Sequence, residues 1–145
     1  MADCGTSMTI TITCLVDVGT QEVVDLWLDN ADGQTSSVCG TPENTPGVTR
    51  MRYDLAPGDS IYSVQACYRG GSMVGVTFSS AGGPLICGDP QDPEAVCRAT
   101  TVGQPSPLAA IFGQCSGQGI IQLDRVCFNP FFVNPIVPIT GTVWV

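Results

Sequence analysis

The hexapeptide VVDLWL occupies residues 23–28, and its pattern of apolar side chains occurs twice more along the chain. MVGVTF stands 50 residues later at 73–78, and LDRVCF stands 50 residues later again at 123–128. All three stretches read apolar-x-x-apolar-x-apolar. A pattern that returns at a fixed spacing is the sequence signature of repeated structural units. The sequence therefore predicts three copies of one unit.

The residues that flank these stretches extend the repeat. Residues 31–40 begin with ADG and end with VCG, and residues 81–88 begin with AGG and end with ICG. A second match lies upstream of the second and third copies, at a spacing of 47. Its apolar and glycine positions are Ile61, Val64 and Gly70 in the second copy and Leu108, Ile111 and Gly117 in the third. The change of spacing from 47 to 50 predicts three extra residues in the turn before the second strand of the third copy.

The repeated unit has the composition of a β-sheet. Residues 9–13 read TITIT, an alternation typical of a half-buried strand. Seventeen Gly and 11 Pro interrupt short stretches rich in Val, Ile and Thr, and no helical stripe is evident. Since 145 residues fit one domain, we predict an all-β fold of three sheets with pseudo-threefold symmetry around one core.

Eight cysteines predict disulfide bonds and an oxidising, extracellular compartment. The best local pair is Cys87 with Cys97, because the turn-rich segment GDPQDPE between them can bring its ends together. The pairing of the other six is left open: Cys4, Cys14, Cys39, Cys67, Cys115 and Cys127. The first residues, MADC, lack the basic and apolar regions of a signal peptide, so we expect secretion after removal of a leader or by another route.

The composition argues against several functions. The chain has no His and no Lys, which excludes Ser-His-Asp and Cys-His catalysis and a P-loop lysine. Thirteen acidic and five basic residues give a net charge of −8, which argues against nucleic-acid binding. No apolar run is long enough to span a bilayer. We expect no enzymatic activity, no cofactor and no membrane span.

One loop contains acidic residues of the kind that bind calcium. Asp89, Asp92 and Glu94 lie close together in a proline-rich segment and supply the oxygen ligands that Ca²⁺ prefers. A solvated acidic loop is the favoured interpretation, with weak Ca²⁺ binding as the alternative.

Three sequence elements, taken in order, resemble the jacalin-related lectins. The run RYDLAPGDSIYSVQA at 52–66 resembles the family's L-x-x-G-E-x-I-x-x-V-x-G element. Residues 73–83 resemble its I/V-x-x-L-x-F-x-T-x-x-G element, and residues 113–126 resemble the closing G-x-x-G-x-x-I-D-x-I element. The resemblance covers roughly residues 8–130 and implies a β-prism of three Greek-key sheets.

The resemblance also implies a saccharide site in the loops at one end of the prism. Its acidic residue falls on Asp124, and its second loop falls on residues 67–71. The family's N-terminal glycine pair is absent, and Ile120 stands where its motif has glycine, four residues before Asp124. The candidate saccharide-binding residues are Tyr68, Arg69, Gly117, Gln118, Gly119 and Asp124.

Each of these residue types suits a neutral saccharide. An ionised Asp124 accepts hydroxyl hydrogen bonds, glycine lets a ligand approach the backbone, and Tyr68 offers a flat apolar ring with a polar tip. The competing interpretation is structural: Asp124 satisfies nearby amides, and the glycines only serve the turn.

The C-terminal residues 131–145 are apolar and uncharged and contain two prolines. We predict a division into a jacalin-like domain at 1–130 and a C-terminal strand or strap at 131–145. This segment either covers its own prism or adds a strand to a neighbouring copy. The first case leaves a secreted lectin that binds a carbohydrate or glycoprotein. The second makes the protein a self-assembling structural subunit of an extracellular filament or matrix.

Overall fold

A computed structural model describes residues 7–101, 107–128 and 137–140, with residues 101 and 137–140 described by their backbone alone. These residues form eleven β-strands and no helix, which confirms the all-β prediction. The strands are β1 (Thr9–Asp17), β2 (Val23–Asn30), β3 (Thr35–Ser37), β4 (Val48–Asp54), β5 (Ile61–Arg69), β6 (Ser72–Ser80), β7 (Gly83–Gly88), β8 (Val96–Thr101), β9 (Leu108–Ser116), β10 (Gly119–Phe128) and β11 (Val137–Thr140). No helix of a length and hydropathy that would cross a membrane occurs among them.

The strands form three antiparallel sheets with a common strand order. The first sheet is β3-β2-β1-β4, the second is β7-β6-β5-β8, and the third is β11-β10-β9. The first two sheets have the Greek-key order, in which the fourth strand returns to lie beside the first. The third sheet repeats the first three positions of that order. Three copies of one sheet unit are therefore present, and their symmetry about a common axis stays a prediction.

The strand register confirms the spacing between the first two copies and corrects the third. Both strands have a bulge at the same place, with Val24 unpaired in β2 and Val74 unpaired in β6, so Leu26 and Val76 correspond at a spacing of 50. In the third sheet the matching residue is Leu123, which pairs with Gly113 and lies 47 positions after Val76.

The predicted three extra residues in the last hairpin turn were therefore wrong. That turn contains Gly117 and Gln118, as many residues as the turn between β5 and β6. Apolar residues recur every three positions along β10, at Ile120, Leu123 and Val126, so the pattern also matches when shifted by three. β10 also has a bulge at Asp124, between the paired positions Leu123 and Arg125. This bulge shifts the residues after it by one further position relative to β6.

One hydrophobic core joins the three sheets. The second strand of each sheet contributes three or four fully or almost fully buried side chains to this cluster. They are Val23, Leu26 and Leu28 from β2, Met73, Val76 and Phe78 from β6, and Ile120, Leu123, Val126 and Phe128 from β10. The repeated apolar pattern thus marks the inward face of each central strand.

The disulfide pattern corrects the predicted pair. Cys87 is bonded to Cys14 in the core, and Cys97 is bonded to Cys67, its cross-strand partner. The predicted Cys87–Cys97 bond was wrong because β7 and β8 lie at opposite edges of the second sheet, so the segment between them crosses over β6 and β5.

A third bond, Cys39–Cys115, links the loop after β3 to β9. Cys127 is disulfide-bonded as well, and Cys4 lies outside the described residues. These bonds support the predicted oxidising compartment.

The predicted C-terminal segment is described only in part. Residues 137–140 form β11, which pairs with β10 of the same chain. Residues 131–136 and 141–145 lie outside the described residues. The division at residue 130 and the assembly of copies stay predictions.

Candidate functional site

The six predicted saccharide-binding residues lie in three separate places. Gly117 and Gln118 form the turn between β9 and β10, and Gly119 begins β10. Asp124 lies five residues further along, about 16 Å from Gly119 at the usual rise per strand residue. Tyr68 contacts Leu123, the residue before Asp124. Arg69 ends β5 and forms an ion pair with Asp92 in the loop between β7 and β8. The structure therefore does not gather the six into one site.

Tyr68 is half-buried against the main core. Its hydroxyl accepts a hydrogen bond from the backbone N–H of Leu123 at 2.9 Å, which joins β5 to β10. Burial raises the pKa of the Tyr68 hydroxyl above its ordinary value, because the phenolate would lose hydration. The polar tip of Tyr68 is thus engaged within the fold, and its stacking on a sugar ring stays a prediction.

Asp124 also has partners within the protein. The side-chain amide of Gln114 donates to both of its carboxylate oxygens, at 3.1 and 3.2 Å. A ligand hydroxyl at Asp124 competes with this amide.

The remaining acidic candidates belong to the loop between β7 and β8. Arg69 forms an ion pair with Asp92, whose other carboxylate oxygen accepts a hydrogen bond from the Glu94 N–H at 2.8 Å. Asp89 accepts a hydrogen bond from the Gln91 N–H at 3.1 Å. No group of three or more side chains suited to hold a metal ion occurs in the described part of the chain.

Gly117, Gln118 and Gly119 form one wall of an open cleft of about 360 Å³, called the cleft below. The β1–β2 hairpin forms a second wall, and the loop that connects β3 to β4 forms a third. The polar side chains on these two walls are Asp17, Thr20, Glu22, Thr41 and Thr45. Val24, Pro46 and Val48 add apolar surface. A concave surface with a few polar groups among apolar ones is the usual form of a small-ligand site.

A buried carboxylate fixes the wall between β3 and β4. Asp25 is fully buried and accepts hydrogen bonds from the backbone N–H groups of Val38, Cys39 and Thr41, at 2.8 to 3.1 Å. It accepts a fourth from its neighbour Leu26 at 2.7 Å. The indole N–H of Trp27 donates to the Thr41 carbonyl at 2.8 Å, which holds the same loop from the other side. This wall is therefore held in one conformation before any ligand arrives.

Two further features join the walls to each other. The Cys39–Cys115 disulfide ties the loop after β3 to the end of β9, beside the turn. Gly119 lies so close to β2 that a Cβ atom there would stand 2.8 Å from the carbonyl oxygen of Val23. Its φ of 149° also disfavours other residues, so Gly119 lets the hairpin approach β2.

The charged groups of the cleft are acidic. Asp17 accepts hydrogen bonds on Oδ1 from the N–H groups of Gly19 and Thr20, at 2.7 and 2.9 Å. The bonds from Thr20 and Gly19 hold the pKa of Asp17 below its ordinary value. The Glu22 carboxylate accepts no hydrogen bond from the described residues, the bonds that Asp17 accepts from them come from its own turn, and no Arg lines the cleft.

Sequence reasoning missed the acidic half of this cleft. The DVGT turn at 17–20 is a common Asx turn, and Asp25 stands alone within an apolar stretch. A lone acid at a strand position that is otherwise apolar is a signal of a buried, hydrogen-bonded carboxylate. Neither signal indicates that residues about one hundred positions later complete the cleft.

Comparison with solved structures shows a likeness of fold. The chain is similar to the solved structure of a prostate-specific WGA16 glycoprotein lectin, with a TM-score of 0.65 and 16% sequence identity. The match covers 98% of this chain and 88% of that one. No protein-family model and no curated protein matches the sequence. The two proteins share a fold, and the jacalin-related family stays a resemblance.

Proposed function

We propose that this protein is a non-enzymatic, extracellular saccharide-binding protein and that the saccharide binds in the cleft. The observation that carries the proposal is the combination, in one concavity, of threonine hydroxyls, glycine backbone and the Glu22 carboxylate, which accepts no hydrogen bond from the described residues. Saccharides present many hydroxyl groups, which donate to carboxylates and accept from backbone N–H groups.

The rigidity of the cleft supports binding. Asp25 and the Cys39–Cys115 bond hold its walls in place, so a ligand orders few protein groups when it binds. Three of the six predicted residues, Gly117, Gln118 and Gly119, line it. Val24 and Pro46 offer apolar contacts for the C–H faces of a sugar ring.

Two further considerations favour this function. The similar fold belongs to a protein described as a glycoprotein lectin, which makes a carbohydrate or glycoprotein partner the first class to test. The described disulfides suit an oxidising environment, where glycans of cell surfaces and secretions are found.

The test is a glycan array followed by titration of the best ligand against a variant that fills the cleft. Gly117→Phe is suitable because a Cβ atom at Gly117 meets no heavy atom within 4 Å. We expect Gly117→Phe to abolish binding while its thermal unfolding stays that of the wild type. Ala31→Phe is the matched control, since it adds the same ring to an exposed residue at the far end of β2.

A third variant tests the other predicted location. Asp124→Ala removes the carboxylate that the resemblance assigns to the saccharide. If Asp124→Ala abolishes binding and Gly117→Phe does not, the saccharide binds beside Tyr68 and the assignment to the cleft is overturned. If no glycan binds the wild type, the proposed function itself is wrong.

The assembly-subunit alternative has its own test. Because β11 pairs with β10 of its own chain, we expect the intact protein and a chain ending at Pro130 both to be monomeric by light scattering. The shorter chain is expected to unfold more easily by about 2 kcal/mol, the size of a few lost backbone hydrogen bonds. Large regular species formed by the intact chain alone would instead favour assembly through residues 131–145.

A further inference from the structure

We propose that the cleft selects saccharides that carry free amino groups over neutral and anionic saccharides of the same size. This inference rests on the proposed function, because it places the ligand in the same cleft, and it adds the charge of that ligand. The chemical class is a cationic amino sugar, such as an oligomer of glucosamine.

The first support is the position of the two acids. Asp17 ends β1 and Glu22 directly precedes β2, and the backbone N–H of Asp17 donates to the Glu22 carbonyl at 2.9 Å. The two residues therefore lie opposite each other at the two ends of the turn between β1 and β2, and both line the cleft. A ligand in the cleft meets two carboxylates on one wall.

The second support is the absence of cations from the lining. The other described residues that line the cleft are uncharged, and the whole chain has a net charge of −8. An ammonium group in the cleft meets no positive side chain there. A uronic acid or a sulfated sugar brings a like charge to two carboxylates and is disfavoured.

The third support is hydrogen-bond capacity. An ammonium group has three donors and no acceptor, whereas a carboxylate only accepts. The Glu22 carboxylate accepts no hydrogen bond from the described residues, and those that Asp17 accepts from them come from Gly19 and Thr20 of its own turn. Hydrogen bonds from Thr20 and Gly19 lower the pKa of Asp17, so this group stays ionised in neutral and mildly acidic solution.

The experiment compares three tetrasaccharides with the same β-1,4-linked backbone by calorimetry. The glucosamine tetramer carries amines, cellotetraose carries hydroxyls at the same carbon, and the N-acetylglucosamine tetramer carries neutral amides. At about pH 6, amines of ordinary basicity are protonated. We expect the glucosamine tetramer to bind about 25-fold more tightly than cellotetraose, as two nearby unit charges in water would give.

Charge-neutral variants assign this preference to the two acids. Asp17→Asn keeps an oxygen for the Gly19 and Thr20 hydrogen bonds, and Glu22→Gln keeps the shape of Glu22. Each is expected to weaken glucosamine binding about fivefold, the effect of one unit charge at close range in water. Neither is expected to change cellotetraose binding comparably. Asp32→Asn is the matched control, because Asp32 is an exposed turn residue at the opposite end of β2 that also accepts one backbone N–H.

Each outcome decides between the possibilities. Equal binding of the glucosamine tetramer and cellotetraose overturns the inference and leaves saccharide binding intact. An equal loss in Asp32→Asn and Asp17→Asn shows general charge attraction and also overturns it. Failure of all three tetramers and of every other glycan overturns the inference together with the proposed function.

Discussion

The cleft and the contact between Tyr68 and Leu123, the neighbour of Asp124, hold the predicted saccharide-binding residues in contrasting environments. At the contact, Leu123 engages the Tyr68 hydroxyl, and Gln114 engages both oxygens of Asp124. In the cleft, the Glu22 carboxylate has no hydrogen-bond partner among the described residues, and Asp17 is bonded only by residues of its own turn. The same residue types therefore serve the fold in one place and are available to a ligand in the other. The two regions differ in whether their polar side-chain atoms already have hydrogen-bond partners within the protein.

Removal of the Asp25 carboxylate is expected to have the largest effect on this comparison. Asp25→Ala removes the shared acceptor of four backbone N–H groups, of which that of Val38 also donates to the Leu26 carbonyl, at about 1 kcal/mol or more for each bond lost. We expect urea denaturation to show a loss of about 4 kcal/mol, together with lost binding in the cleft. Asp32→Ala, which removes one exposed acceptor, should lose about 1 kcal/mol or less. Equal losses would mean that Asp25 does not fix the wall.

Removal of the Cys39–Cys115 bond tests the walls of the cleft separately from the Tyr68 region. Replacement of both cysteines by serine should lower the free energy of unfolding by about 2–4 kcal/mol, the usual contribution of a disulfide. Saccharide binding should weaken as well, because this bond joins two walls of the cleft. The Cys67–Cys97 pair, replaced in the same way, tests whether any disulfide loss has this effect on binding.

Tyr68→Phe tests the other region. The substitution leaves the Leu123 N–H without its acceptor, so we expect a loss of stability of about 1–2 kcal/mol. Saccharide affinity should stay unchanged, since Tyr68 does not line the cleft. A large fall in affinity with little change in unfolding would reverse the roles assigned to the two regions.

The smallest expected effects concern pH. Because the pKa of Asp17 is lowered in the folded state, its contribution to stability is present above about pH 4 and disappears as the pH falls through the folded value. The pKa of Tyr68 is raised, so its contribution is present below about pH 10 and disappears as the pH rises through the folded value. Asp17→Asn should flatten only the acidic part of a stability–pH profile, and Tyr68→Phe only the alkaline part. Acid or alkaline profiles that match the wild type would contradict the corresponding assignment.

The sequence predicted the repeated sheets because the pattern depends on local alternation. Leu26 and Val76 occupy equivalent positions since each faces the same core from a central strand. The third copy was displaced by three residues because an apolar residue every three positions along β10 matches itself after such a shift. Strand pairing removes this ambiguity, and pairing is not a local property.

The disulfides and the cleft were less predictable for a related reason. Cys87 and Cys97 are near in sequence but lie at opposite edges of a sheet. The cleft joins Asp17 and Glu22 to the turn at 117–118, which follows them by about one hundred residues. Residue types indicated which side chains suit a saccharide, but only the fold determines which of them already have a partner.

The position of the last wall has a consequence for how the protein is made. The hairpin with Asp17 and the loop bonded to Asp25 are synthesised first, whereas the turn at 117–118 follows that hairpin by about one hundred residues. Cys39 can form its disulfide only after Cys115, which lies 76 residues later, has been synthesised. An incomplete chain therefore has no finished cleft, and contacts this distant in sequence form slowly. Ligand binding in the cleft is therefore expected only after the turn at 117–118 has been synthesised and Cys39 has been oxidised with Cys115.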